Sequence, residues 1–533
     1  MKWDANVYPS ASRRTVVYAT HGMVATAQPL AAQAGLEILQ AGGNAIDAAI
    51  ATAACLTVVE PTSNGLGGDA FAMVWSGGRL TGLNASGPAP QGLTKDWIRE
   101  RGFHEMPATG WGAVTIPGIP AAWAVLSERF GSMPLEVVLK PAIRLAREGF
   151  PVSPTVAHFW QRAAERYREV LTGPEFSAWF ETFTKHGRAP VPGERWVLPD
   201  HAKTLQEIAN THAESFYRGR LAQEMVRFSH ATGGILSLKD FGAYAPEWVD
   251  PLSVAFRDYE VWELPPNGQG LVALMALKIL EGLDAHSEEE RIHQQIEALK
   301  LAFADAQRYL ADPQYMASPP AAFLDAAYLQ ERRSLIGPKA ALPHAGLPRP
   351  GGTVYLATAD NQGNMVSYIQ SNFAGFGSGL VVPGTGIALQ NRGQLFSLEE
   401  GHPNILEPGK RPYHTIIPGF LTQKGKPIGP FGVMGGFMQP QGHVQVLSRV
   451  LEGGMNPQAA LDAPRFYWEQ GMHVVVEHTM APEIVAALRE RGHDVQVTTE
   501  VAPFGRGQIV WQDGSGVLIG ATEPRADGMV AAW

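Results

Sequence analysis

The sequence predicts a layered α/β protein, and three observations predict it. Up to about residue 310 the apolar spacing is mostly helical, with short strand patterns between the helices. From residue 353 onward the pattern is strand-rich, interrupted by helical stretches at 440–452 and 482–491. Strands, helices and then strands again call for sheets packed against helices, as α+β or layered α/β architecture. The composition, 45% hydrophobic and 17% charged, is that of a globular chain able to bury such layers.

Residues 15–25 read as an opening strand and turn. A helix follows from Pro29 to Gln40, with Leu30, Ala34, Ile38 and Leu39 on one stripe, and Gly42-Gly43 stops it. Asn44 is placed to cap a second helix, Ala45 to about Val58, whose alanines predict close packing on a sheet. The run Asn64-Gly65-Leu66-Gly67-Gly68 then leads into a strand, Ala70–Trp75. Its glycines follow a helix and precede a strand, the reverse of a dinucleotide fingerprint, so a structural turn near a cleft is expected. A strand at Leu80–Leu83, helices over 120–170, a strand at Val254–Leu264 and a long helix at 288–310 complete this half. Strands are then expected at 353–360, 364–371, 386–390, 415–422, 473–477, 494–498, 507–512 and 516–521.

Charge and motifs exclude several functions. The net charge is -9 and there is no basic run, so no nucleic-acid partner is expected. The single Cys55 rules out an internal disulfide and a cysteine metal cluster, and its apolar neighbours predict a buried, inert thiol. No stretch reaches about 18 uninterrupted apolar residues, so no membrane span is expected. The N-terminus has no apolar core of a secretory signal, which makes a cytoplasmic protein the expectation. There is no G-x-S-x-G, H-E-x-x-H or Walker A run, and no histidine pair at i, i+4. Neither a metal nor a cofactor is expected.

What remains is Thr353. A Pro-rich run, 337–350, ends at Gly351-Gly352, and a strand begins at the threonine. Asp360-Asn361-Gln362-Gly363-Asn364 supplies the turn of a hairpin. A threonine hydroxyl needs a base. Scission of the Gly352–Thr353 bond would supply one, because the new α-amine titrates at about 7.7–8.0 and lies beside the hydroxyl. Taken alone, a Gly-Thr at a strand start is ordinarily only a strand start.

Four motifs give the chain a resemblance to the γ-glutamyltransferase (γ-glutamyltranspeptidase, glutathione hydrolase) family of N-terminal-nucleophile hydrolases. They are Gly22–Ala25 with Glu37–Ala49, Asn64–Gly68, the Thr353 segment with Asp360, Gly363-Asn364 and Phe376–Gly379, and Met434-Gly435-Gly436. Lys410-Arg411-Pro412 is similar too. The resemblance implies an αββα sandwich made as one proenzyme. Autocleavage between Gly352 and Thr353 would divide it into a large region, 1–352, and a small catalytic region, 353–533, associated as a heterodimer within one compact unit. A higher homo-oligomer stays open. Thr353 would attack an acyl amide and pass the acyl group to water or an amine acceptor. Gly435 and Gly436 would form the oxyanion hole, and Ser371 would hydrogen-bond the nucleophile.

The resemblance weakens where the family grips glutamate. Asn84 stands in the place of a carboxylate-binding Arg, Leu395 in the place of an ammonium-binding Asp, and Phe373 in the place of an Asn. His414-Thr415 replaces the usual Ser pair. Asn84, Asn391, Arg392, His414 and Thr415 are the candidate substrate contacts, with Arg392 and His414 suited to an acid-bearing acyl group lacking the amine. The short Phe396–Lys410 segment leaves little material for a lid and predicts an open pocket. Three readings stand: a γ-glutamyltransferase-like acyl hydrolase of altered specificity, a cephalosporin/glutaryl-type acylase, and an uncleaved binding relative.

Overall fold

The computed structural model describes residues 14–343 and 352–533. Part of the Pro-rich run before the nucleophile, residues 344–351, therefore lies outside the described residues. Two seven-stranded antiparallel sheets organise the rest. The first runs, edge to edge, Met529–Ala532, Gly22–Thr26, Gly352–Asp360, Met365–Phe373, Asp69–Ser76, Arg79–Ala85 and Glu247–Val249. The second runs Val17–Ala19, Leu518–Thr522, Arg506–Gln512, Lys426–Met434, Gly419–Gln423, Tyr259–Glu263 and Leu252–Phe256.

Side-chain alternation explains how the sheets are used. Tyr355, Ala357, Met365 and Ile369 of the first sheet share a core with Phe420, Met434, Val510 and Leu518 of the second. Their neighbours Val354, Leu356, Val366 and Tyr368 point the other way, into a core with the helices of the first half. The second sheet's other face packs on the helices Gly270–Leu280, Glu288–Tyr309 and Met438–Leu451. Thr353 thus lies near the start of a strand buried on both faces.

Most expected elements are present. The first two helices run Pro29–Gln40 and Ala45–Val59, and Asn44 caps the second by accepting from the Ile46 and Asp47 amides. Asp360 Oδ2 accepts the Ala45 amide at 2.9 Å and Thr358 Oγ1 donates to the Ala45 carbonyl at 2.7 Å. The nucleophile hairpin is therefore bolted to the start of that helix. Cys55 is fully buried within it, and burial pushes its thiol upward.

Other expectations are corrected. Residues 15–25 hold two strands in different sheets. Val254–Leu264 is a hairpin, because Arg257 takes a left-handed φ of 53° and turns the chain. The 386–390 strand shrinks to Ile387–Ala388. Lys426–Met434, Phe466–Gln470 and Met529–Ala532 are strands that the pattern did not announce. In the first of these, Pro427, Gly429, Pro430 and Gly432 conceal the middle strand of its sheet; the Tyr355 ring packs where a Gly432 Cβ would stand, 2.5 Å away.

Candidate active site

Thr353 lies at an irregularity in its own sheet. Gly352 pairs with Phe373, but Val354 pairs with Gln370, so the partner strand carries an extra residue beside the threonine. Bulges of this kind re-aim side chains next to active sites. Phe373 absorbs the irregularity with a φ of 76°, and its amide donates to Ser371 Oγ at 2.7 Å. Ser371 Oγ is in turn 3.3 Å from Thr353 Oγ1, which donates to it. A third group meets the threonine: Gln439 Nε2 donates to Oγ1 at 3.4 Å, while Gln439 Oε1 accepts the Ile417 amide at 2.9 Å. Gln439 sits in the first turn of Met438–Leu451, three residues after Gly436. That spacing after Gly-Gly was the available signal for it, and the sequence reading missed it.

Gly435 and Gly436 form the turn between the Lys426–Met434 strand and that helix. Their φ angles are 137° and 61°, and a Cβ on Gly435 would come within 3.0 Å of Gly505 Cα. The Gly436 carbonyl is held by Gln269 Nε2 at 2.9 Å, which also donates to the Thr415 carbonyl at 2.7 Å. Gln269, hidden in the run Pro265-Pro266-Asn267-Gly268-Gln269, was not anticipated either. It couples the glycine turn to the 412–416 segment. Opposite, Gly68 lets the Asn64–Gly68 turn approach the Ser371 carbonyl, 2.5 Å from where a Cβ would stand. This is the structural role expected of that turn.

The substrate candidates separate into two groups. Asn84 spends its amide inside the protein: Oδ1 accepts from Ser86 N and Oγ, and Nδ2 donates to Asn267 Oδ1 at 2.9 Å. Asn391 does the same, accepting the Ala374 amide and donating to the Ala108 carbonyl. Both brace the loops around the site, with their polar ends already engaged. His414 is a neutral imidazole. Its Nδ1 accepts the Ile416 amide, so Nε2 carries the proton and donates to Asp69 Oδ2 at 3.0 Å. Burial and the nearby Arg392 hold its pKa well below the ordinary value. Arg392 is also completely buried, yet only its Nη1 is bonded, to Thr415 Oγ1 at 2.7 Å. Among the described residues its Nε and Nη2 have no hydrogen-bond partner, and its guanidinium stacks 4.7 Å over the Phe373 ring. Burial lowers its pKa to about 9, against the pull of Asp69. Asp69 itself is raised to about 7 by burial, opposed by Arg392 and by hydrogen bonds from Gln390 and Gly87.

Thr353 is 1% exposed, so the expected openness does not extend to the nucleophile. Two cavities adjoin the site. One of about 270 Å³ is walled by Phe373, Leu395, Phe396, Tyr413 and Phe437. Another of about 540 Å³ is walled by Gly435, Met434, Ala374, Thr62 and the Arg162, Arg166 and Arg506 side chains. Among the described residues, His293, Glu297 and His493 are the group close enough for a metal. The Lys300 ammonium already occupies Glu297 at 2.7 Å and His493 bonds His293 at 2.8 Å, which makes it a poor cation site. No helix of the described residues is long and apolar enough to cross a membrane.

A model of the gamma-glutamyltranspeptidase family matches residues 31–533. The chain belongs to that family. It is 38% identical over 525 residues to the glutathione hydrolase-like YwrD proenzyme of Bacillus subtilis, covering 96% of this chain and 98% of that one. It is 35% identical over 530 residues to the oxamate amidohydrolase proenzyme of Klebsiella pneumoniae, covering 96% and 99%. The crystal structure of cephalosporin acylase from Bacillus halodurans superposes with a TM-score of 0.96 at 55% identity, covering 100% of this chain and 99% of that one. The chain is an autoprocessing, γ-glutamyltransferase-like amidohydrolase.

Proposed function

We propose that Thr353 is the nucleophile and that the acyl groups it accepts carry an acid but no α-amine. Cleavage at Gly352–Thr353 would leave regions 1–352 and 353–533 as associated subunits. The order helices, sheet, sheet, helices supports an αββα sandwich of the N-terminal-nucleophile type. In turnover, the freed α-amine of Thr353 takes the Oγ proton as Oγ attacks the amide carbonyl. The Gly435 and Gly436 amides receive the negative charge on the carbonyl oxygen. The C–N bond breaks, the amine leaves with the proton, and an acyl-threonine ester remains. Water then attacks the ester, giving up a proton to the α-amine; the acid departs and Oγ regains its proton.

The observation that carries this reading is the Thr353 hydroxyl held between Ser371 and Gln439 at the start of a buried strand, one residue after Gly352. The acyl preference is supported by three features. Asn84 is tied up internally, Leu395 stands in the apolar wall of a cavity, and Arg392 has donors to spare. The acylase reading is favoured by the same features and by the likeness to the cephalosporin acylase. Oxamate, the amide of a dicarboxylic acid, fits the same chemical class. Mass spectrometry of the purified protein tests the nucleophile: the wild type should yield two chains, the smaller beginning at Thr353, and Thr353→Ala one. A wild type that stays intact on long incubation would refute the reading.

A further inference from the structure

We propose that the Nε/Nη2 edge of Arg392 receives a free carboxylate on the acyl group, so that the substrates are monoamides of dicarboxylic acids. This rests on the acyl-enzyme reading above and goes further by naming one residue and one ligand class.

The guanidinium is fully buried, with one nitrogen fixed by Thr415 Oγ1 and two left without an acceptor. Unsatisfied donors on a buried cation are costly, and the Phe373 ring and the through-space pull of Asp69 compensate the charge without accepting from either nitrogen. The vacant edge is the side of an arginine that meets a carboxylate through two parallel hydrogen bonds. Asp69, the nearby opposite charge, acts only through space, because its oxygens are taken by His414, Gln390 and the Gly87 amide. For the same reason Asp69 is a poor receptor for a substrate ammonium.

Two routes tie this edge to the nucleophile. Arg392 lies over Phe373, whose amide holds Ser371, which meets Thr353. Arg392 also bonds Thr415, whose carbonyl shares the Gln269 amide with Gly436. Phe373 is the wall shared by the guanidinium and the 270 Å³ cavity. For an acyl chain lying in that cavity to meet the vacant edge, the Phe373 ring between them would have to swing aside.

The test compares glutaryl and pentanoyl anilides, which differ in a terminal carboxylate against a methyl group. The wild type should favour glutaryl by about 100-fold or more in kcat/KM, and Arg392→Met should bring that ratio close to one. Arg392→Lys keeps the charge but loses the fork, and should lower the ratio at least tenfold. Self-cleaved subunits on a gel report whether each variant has folded; if the Met variant has not, the Lys variant decides. Glutarate alone should raise the Tm of the wild-type protein and not that of the Arg392 variants. A variant that keeps the wild-type ratio and the glutarate shift overturns the assignment of Arg392. A wild type that hydrolyses no acyl anilide overturns the acyl-enzyme reading instead, and the glutarate shift still decides on Arg392.

Discussion

Removing the Ser371 hydroxyl should damage stability more than chemistry. Two of the hydrogen bonds at Ser371 Oγ are of unequal quality. The bond from the Phe373 amide is short, at 2.7 Å, and both ends are buried. The one from Thr353 is long for two hydroxyls, at 3.3 Å. In Ser371→Ala the Phe373 N–H becomes a buried orphan, which costs about 1–3 kcal/mol. The weaker bond to Thr353 contributes about 0.5–1 kcal/mol, the lower half of the usual range. That amounts to a loss of about two- to fivefold in the self-cleavage rate, taking 1.36 kcal/mol per factor of ten. The rate is measured by mass spectrometry on freshly synthesised chain, and the stability from the denaturant midpoint. Ser371→Thr retains the oxygen and should restore both. Gln439→Leu removes the other bond to the same oxygen, so the double variant should depart from additivity by about 0.5 kcal/mol or more. An unchanged rate in Ser371→Ala, together with strict additivity, would show that these two side chains do not jointly hold the nucleophile.

Two more outcomes follow from the same geometry. Gly435→Ala places a Cβ 3.0 Å from Gly505 Cα at a φ of 137°, so the turn must shift; acyl-enzyme formation in single-turnover assays should fall by about 100-fold or more. The pH dependence should split between KM and kcat. Asp69 is raised to about 7 in the fold, so its contribution to stability is complete below the ordinary carboxylate range and is lost as the pH rises through about 7. Over the same interval its new charge weakens the field of Arg392, while His414 stays neutral. KM for glutaryl anilide should therefore rise between about pH 6 and 8, with KM for pentanoyl anilide flat and the rise absent in Asp69→Asn. By contrast, kcat should climb as the α-amine, at about 7.7–8.0, loses its proton.

The part of the molecule legible in the sequence is the part written in local rules. Asn44 capping, the stripe of the first helix and the Asp360–Asn364 turn are each fixed by a few adjacent residues, and all three are present as read. The strand Lys426–Met434 was missed because its character is tertiary: prolines and glycines are tolerated there by the facing sheet, and no local pattern records that. Gln439 and Gln269 were missed for a related reason. A glutamine has no chemistry of its own to announce, and its role exists only once the Gly435-Gly436 turn, Thr353 and Thr415 have been brought together. His414 shows the converse. It looked like an anion contact in sequence, but Asp69, 345 positions away, claims its proton.

This division has a chemical consequence. Thr353, Ser371 and the bulge between them belong to central strands buried on both faces, where a displaced atom disturbs two cores at once. Arg392, Leu395, His414 and Thr415 lie outside the long strands, in a short 3₁₀ turn and the connection before Gly419. Substitution there is expected to change what is held more than it moves the atom that attacks, because only single side-chain contacts connect the two. On the proposed reading, an arginine at 392 in place of one at 84 would move the charge that a substrate meets from a strand end to this turn. The reaction can then persist while the acyl group it accepts changes, and exchanging the charged group between these two positions, Asn84→Arg with Arg392→Gln, is the substitution pair expected to move preference back toward an acyl group recognised from the Asn84 side.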